Sequence, residues 1–254
     1  MDRQVFAYSG VLTPRPGEPG ILPLIEHALE LGRTRWLWDG AVRLCYLPTA
    51  VGDDPRAIEV YEQVLGERED VEFSVLRLFP GPSVPDVRKH LLRQDVVLVE
   101  DGSLVNLLAV WRAHGLDGIL RRAWEHGVVL AGVSAGSICW YQGGTTDSFG
   151  PQLRPVTNAL GFLPYGNGVH YDSEDQRRPL VQRLVADGTL GETHCTDDGV
   201  GLVYFGTALV EAVSEVRGKA AYRVTRGTGG GVGRGAGGAA PQVFEERLEP
   251  RFLG

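Results

Sequence analysis

Residues 128–140 read VVLAGVSAGSICW: an apolar, β-branched run, then Gly132-Val133-Ser134-Ala135-Gly136, then a helix-compatible stretch. A short run that is apolar at consecutive positions reads as a strand buried on both faces, the mark of a parallel sheet covered by helices. A G-x-S-x-G between such a strand and a helix is the turn that lifts a serine hydroxyl clear of the sheet, with small neighbours so that backbone and substrate can approach. At the start of that helix the N–H of Ala135 would face a developing oxyanion. The same five residues also suit a tight packing turn with no chemistry, so the surrounding chain has to decide.

Working outward, further strand candidates are QVFAYSG (4–10), VRLCYLPTA (42–50), VEFSVLRLF (71–79) and VVLVE (96–100). Amphipathic helical stretches lie between them: ILPLIEHALELG, DPRAIEVYEQVLGER, VPDVRKHLLRQ, SLVNLLAVWRAHG and LDGILRRAWEHG. The alternation of strand and helix predicts an α/β fold with a mostly parallel sheet flanked by helices, three layers in all. After Tyr141 the rhythm changes. The polar helix SEDQRRPLVQRLVADG precedes GLVYFG, LVEAVSEV and AAYRVTR, which read as late, antiparallel strands.

The chain has 254 residues, of which 35 are glycine, and a net charge of −7. A chain this long can bury a large core, and its acidic balance lacks the basic field that holds nucleic acid or an anionic membrane. Eight glycines crowd into GTGGGVGRGAGG (227–238). That run has no helix beyond it to make a phosphate loop, and the expectation is one domain over 1–226 followed by a flexible glycine-rich tail over 227–254. Cys45, Cys139 and Cys195 share no CxxC spacing, and the histidines form no i, i+4 pair, so neither a disulfide framework nor a metal site is expected. The segment near Met1 contains no apolar stretch long enough for a membrane helix. A cytoplasmic protein without metal or cofactor is the expectation, and an α/β domain of this size offers surface for a homodimer.

A serine needs a base. Of the six histidines, His27, His90, His114 and His126 fall within or at the ends of helical patterns. His170 ends a glycine-rich stretch between a strand-like run and a charged helix, where a side chain can project into a strand-end cleft; His194 is the competitor. For the carboxylate that orients the imidazole, Asp197 and Asp198 stand in a turn just before an apolar strand, with Asp147 and Glu174 as alternatives. A Ser–His–Asp order differs from the Ser–acid–His order of α/β-hydrolase esterases, which would require His194 as base with Asp172 or Asp175.

LPTA (47–50), VEDGSLVNLLAVWRAHGLD (99–117), GVSAGS (132–137), GVHYDSED (168–175) and TDDGVGL (196–202), in that order and spacing, resemble the peptidase E (aspartyl dipeptidase) family of serine peptidases. The resemblance covers roughly residues 40–225 and implies a class I glutamine amidotransferase-like, flavodoxin-like fold without cofactor. It also implies Ser134 as nucleophile, His170 as base and Asp198 as the acid, where the family often carries glutamate. Asp197 lies one residue away. The family's glycine-rich turn typically reads GGGN, its last glycine supplying an oxyanion N–H and its asparagine touching substrate. Here the turn is Glu100-Asp101-Gly102-Ser103, so Gly102 keeps the oxyanion position, Ser103 replaces the asparagine, and two carboxylates stand where the family has glycine.

The implied reaction is hydrolysis of short peptides bearing an N-terminal aspartate, whose side chain would need a cation; Arg177 and Arg178, on the helix after His170, are the candidates by proximity. The altered turn equally motivates a non-catalytic binding protein on the same fold.

Overall fold

The computed structural model of the chain describes residues 3–10, 23–34, 40–227 and 242–254. The first half alternates as its periodicity predicts: β1 (Gln4–Ser9), α1 (Pro23–Arg33), β2 (Val42–Leu47), α2 (Pro55–Leu65), β3 (Val71–Val75), α3 (Val87–Leu92), β4 (Val96–Val99), α4 (Leu104–His114), α5 (Leu116–Glu125), β5 (Val129–Val133) and α6 (Ala135–Ile138). There follow β6 (Tyr141–Thr146), β7 (Arg154–Val156), β8 (Leu163–Gly168), α7 (Arg177–Asp187), β9 (Thr193–Thr196), β10 (Val200–Phe205), β11 (Ala208–Ser214), β12 (Ala221–Arg226), β13 (Val243–Leu248) and β14 (Arg251–Phe252).

An eight-stranded sheet runs β14-β11-β10-β1-β5-β4-β2-β3. Its five strands from β1 to β3 are mutually parallel, while β10 pairs antiparallel with both β1 and β11. Alternate residues of each central strand enter opposite cores, as the two-residue period of a strand requires. Val5, Ala7, Val97, Val99 and Leu130 face α4 and α5, whereas Phe6, Tyr8, Leu98, Val129 and Ala131 face α1 and α2. The first core is closed by aromatic rings, Trp140 lying against both Trp111 and Phe162. Trp111 also donates its indole N–H to Thr49 Oγ1 at 3.1 Å, tying α4 to the short 3-10 turn Thr49–Val51 that follows β2.

The helices start where local chemistry starts them. Asp54 and Asp86 accept backbone N–H groups of Arg56 and Lys89 at the heads of α2 and α3, and Ser103 accepts that of Asn106 at the head of α4. All three cysteines are free and buried. Among the described residues no helix is long and apolar enough to cross a membrane.

The second half departs from the expected pattern. A six-stranded sheet, β13-β12-β9-β8-β6-β7, packs against α7, and of its strands only β12 reads clearly in the sequence. The glycines of YQGGTT and LPYGNG conceal strands β6 and β8, because glycine is depleted in strands generally. Here it is required by close approach. A Cβ on Gly143 would come within 2.0 Å of the Val156 carbonyl oxygen, one on Gly144 within 2.3 Å of that of Asn167, and one on Gly166 within 2.4 Å of Thr193 Oγ1.

The expected tail over 227–254 is corrected over residues 242–254 only. The glycine run at 228–241 lies outside the described residues, but β13 pairs antiparallel along the whole of β12, and β14 extends the large sheet beside β11. Glu245 on β13 accepts hydrogen bonds from Tyr171 Oη (2.7 Å) and Gln182 Nε2 (3.0 Å) and pairs with Arg178. A segment with a partner for its backbone and a partly buried carboxylate contact is part of the fold.

Truncation before Gln242 should therefore leave β12 as a bare edge and Tyr171 without its acceptor. The expected cost is about 2 kcal/mol or more, a fall in Tm of roughly 5 °C or more for a chain of this size. Calorimetry on the truncated chain checks this, and an unchanged Tm would return the segment to the status of a tail.

Candidate active site

Ser134, His170 and Asp198 converge from three strand ends. Ser134 follows β5 in the large sheet, His170 follows β8 in the small one, and Asp198 lies on the connection where the chain crosses from β9 to β10, from the small sheet to the large. Ser134 Oγ is 2.9 Å from His170 Nε2, and His170 Nδ1 is 2.5 Å from Asp198 Oδ1. Ser134 is 9% exposed.

The backbone at the serine is strained, with φ 52° and ψ −110°. A non-glycine residue at positive φ costs of order 1–3 kcal/mol and persists only where its surroundings hold it. They do so here: the Ser134 N–H donates to the Tyr8 carbonyl at 3.1 Å, and the Ser134 carbonyl accepts from Ser137 and Ile138, each at 2.9 Å. Both glycines of G-x-S-x-G are obligatory on steric grounds. A Cβ at Gly132 would sit 2.2 Å from the Gly136 carbonyl oxygen, and one at Gly136 would sit 2.4 Å from that of Val99. The N–H of Ala135, first residue of α6, meets no acceptor among the described residues.

His170 too has positive φ, 52°. Its N–H donates to Ser9 Oγ at 3.1 Å, and Ser9 Oγ lies 2.6 Å from Thr196 Oγ1. Ser9, at the end of β1, thus joins the histidine loop to the end of β9. Sequence reasoning passed over it, since a serine closing an apolar strand carries no signal of its own.

Burial opposes the charged imidazole of His170, but the hydrogen bond and charge of Asp198 outweigh it, and the net result is a pKa above the ordinary value; Arg177 pulls it down slightly and Asp101 up. Asp198 shifts the opposite way, lowered first by its hydrogen bond to His170. The pair is coherent: a carboxylate that stays ionised beside an imidazole poised to take a proton.

The alternatives resolve by contact. Asp197 turns away, accepting the Ala220 N–H at 2.9 Å. Glu174 pairs with Arg177 at 2.7 Å. His194 is buried on β9 with both ring nitrogens engaged, by Tyr204 Oη at 2.6 Å and Glu192 Oε1 at 2.8 Å, so the esterase arrangement built on it has no base to offer. Of the three residues expected at the substrate, Ser103 accepts the Asn106 N–H at the cap of α4 with its hydroxyl oxygen, and the two arginines are corrected. Arg177 is 2% exposed, its guanidinium bonded to Thr145 and Glu174, and Arg178 pairs with Glu245. Neither arginine presents a free cation to a ligand.

The turn Glu100–Ser103 leaves β4 directly beside the serine turn, since Val99 pairs with Gly132. Gly102 has φ 126°, and a Cβ there would lie 2.5 Å from the Ala50 carbonyl oxygen, so only glycine fits. Glu100 is buried. Burial raises its carboxyl to about 7 in spite of hydrogen bonds from the Tyr46 hydroxyl and the Asp101 N–H. The Gly102 N–H donates to Asp101 Oδ1 at 2.5 Å.

A serine, a histidine and a carboxylate in relay at the carboxyl ends of strands in an open α/β sheet define an arrangement suited to acyl transfer. The comparisons with known proteins give it a family. The model of Peptidase family S51 matches residues 34–210, and the chain belongs to that family. It is 41% identical over 207 residues to the uncharacterized peptidase YgaJ of Bacillus subtilis (strain 168), covering 82% of this chain and 86% of that protein. Two crystal structures share the fold. A protein named for peptidase E from Listeria monocytogenes EGD-e has a TM-score of 0.58 at 14% identity, covering 84% of this chain and 99% of its own. A peptidase from an acI-B1 actinobacterium has a TM-score of 0.63 at 15% identity, covering 98% of each chain. The resemblance read in the sequence to the peptidase E family, and the α/β fold expected with it, both hold.

Two measurements test this electrostatic description without reference to turnover. In Asp198→Asn the imidazole loses its anionic support while its burial remains, so the His170 pKa should drop below that of the wild type in an NMR titration; an unchanged value would mean that Asp198 does not set it. For Glu100, an acid whose folded pKa is raised weakens the fold as pH climbs from its ordinary value of 4.5 through about 7. Glu100→Gln should therefore match the wild type near pH 4 and exceed it by on the order of 3 kcal/mol at pH 8. Denaturant melts at the two pH values check the difference, which should be absent if Glu100 ionises freely.

Proposed function

We propose that this protein is a serine peptidase that hydrolyses short peptides through an acyl-enzyme on Ser134. The observation that carries the reading is the continuous hydrogen-bonded chain from Ser134 Oγ through the His170 ring to Asp198, and membership of a peptidase family supports it. His170 Nε2 takes the Ser134 hydroxyl proton as Oγ bonds to the peptide carbonyl carbon, and the carbonyl oxygen becomes an oxyanion facing the N–H groups of Ala135 and Gly102. The protonated His170 then gives its proton to the leaving nitrogen as the C–N bond breaks. Water repeats the sequence on the ester, its proton passing to His170 and returning to Ser134. No metal or cofactor enters this scheme.

Dipeptides with an N-terminal aspartate are the first substrates to try, because the family resemblance points to them. A cation for that aspartyl side chain must come from somewhere other than Arg177 and Arg178, both of which are engaged.

One observation favours the second reading, a non-catalytic binding protein on the same fold: the Gly102 N–H is already occupied by the Asp101 carboxylate. A fluorophosphonate separates the two. The serine peptidase reading expects stoichiometric labelling that Ser134→Ala abolishes, together with loss of Asp-X dipeptide hydrolysis by about 1,000-fold or more in that variant. Since the neutral imidazole is the base, kcat/KM should rise with pH through a value above 6.5, the side to which Asp198 moves His170. Undiminished turnover by Ser134→Ala would end the proposal.

A further inference from the structure

The turn that departs from the family's glycine-rich pattern is built around one unusual contact. The Gly102 N–H, an oxyanion donor in the function proposed above, donates to Oδ1 of its own neighbour Asp101 at 2.5 Å. Glu100 repeats the motif one residue earlier, its Oε1 accepting the Asp101 N–H at 3.0 Å. Gly102 cannot turn its amide aside, because its backbone is pressed against the Ala50 carbonyl and the next N–H, that of Ser103, is bonded to the same oxygen at 2.9 Å. The Asp101 side chain can move. It is half-buried, it reaches His170 electrostatically, and beyond the Gly102 N–H it has no bonded cation or donor among the described residues.

A carboxylate and an oxyanion cannot share one N–H, since both are negative and both need the same hydrogen. Asp101 must leave when a substrate carbonyl enters, and leaving exposes its charge unless the substrate compensates it. The atom best placed to do so follows from covalent geometry. When the scissile carbonyl belongs to the first residue of a peptide, the α-ammonium nitrogen sits on the adjacent carbon, roughly 3 Å from the carbonyl oxygen. A carbonyl oxygen taking the Gly102 N–H therefore brings that ammonium to the place where the displaced Asp101 carboxylate stands, and the lost hydrogen bond is replaced by a charge-assisted one.

We propose that Asp101 is a specificity-determining plug on the oxyanion donor Gly102, displaced by the α-ammonium group of a substrate's terminal residue, so that the site admits peptides with a free N-terminus and rejects N-acylated ones. This rests on the serine peptidase reading above. An N-acylated residue places a neutral amide opposite Asp101 and leaves the repulsion uncompensated. The departure from glycine at position 101 is thus a selection device within this site.

The test uses Asp-p-nitroanilide and N-acetyl-Asp-p-nitroanilide with the wild type, Asp101→Asn and Asp101→Gly. Asparagine keeps an oxygen that can accept the Gly102 N–H but removes the charge, so the fold should survive; glycine removes both. The ratio of kcat/KM for the free amine to that for the acetylated substrate should fall at least tenfold in both variants. In Asp101→Gly the absolute rate on the acetylated substrate and the rate of fluorophosphonate labelling should rise severalfold, because the donor is open. A structural role for Asp101 would lower both substrates together and leave the ratio unchanged; that result, with Ser134-dependent labelling intact, overturns the plug. Absence of any Ser134-dependent labelling or hydrolysis in the wild type overturns the peptidase reading first and the plug with it, so the two failures are told apart by the wild-type control.

Discussion

The arrangement depends on how closely three backbone segments approach one another behind Ser134. Gly132, Gly136 and the Val99 carbonyl leave no room for a Cβ at either glycine, and that contact fixes the end of β5, the start of α6 and the end of β4 as one unit. A serine carried by this unit has no freedom to relax its positive φ, because relaxation would move α6 off the end of β4. The strain of order 1–3 kcal/mol is held by packing on both sheet faces and by the bond from the Ser134 N–H to Tyr8. The same unit places the turn after β4 alongside the serine, so the positions of Ser134 and of the Glu100–Ser103 turn are set by a single packing decision.

The charge distribution follows from which groups are buried and which are paired. Arg177 is almost wholly buried yet bonded to a carbonyl, a hydroxyl and Glu174, so its charge is spent on holding the loop before α7 to β6 and on a modest downward pull on His170. Lys219 pairs with Asp172, whose other oxygen accepts the Asp198 N–H at 2.9 Å. The cations near the site are thus committed to structure, while the carboxylates Asp101 and Asp198 remain in reach of the imidazole.

The first half of the chain was legible because its strands are buried on both faces and its helices carry one apolar stripe, two patterns that periodicity separates. The residues of the Ser134–His170–Asp198 relay were legible in part: a G-x-S-x-G after an apolar strand, a histidine after a glycine-rich run and an Asp-Asp-Gly turn before a strand marked the loops, while Asp198 rather than Asp197 was singled out only by the family resemblance. The second sheet was not. Strands β6 and β8 owe their glycines to contacts with Val156, Asn167 and Thr193, which are 13, 23 and 27 residues away along the chain from Gly143, Gly144 and Gly166 respectively, and no local pattern encodes a steric limit set at that distance. The same blindness affected the arginines. Proximity in sequence to His170 suggested a role at the substrate, whereas Arg177 turns inward to Thr145 and Arg178 outward to a strand that composition had assigned to a tail.

The two carboxylates at 100 and 101 show where a departure from a family pattern gains meaning only in three dimensions. Read as letters, they are acidic residues near a substrate and their effect depends on where each one points. In the fold they point differently. Glu100 is buried under Tyr46, and burial raises its carboxyl to about 7. Asp101 is half-buried and accepts the Gly102 N–H. On the function proposed above, selectivity would reside at this N–H, because a group that must be displaced before reaction discriminates among ligands by what they bring to displace it.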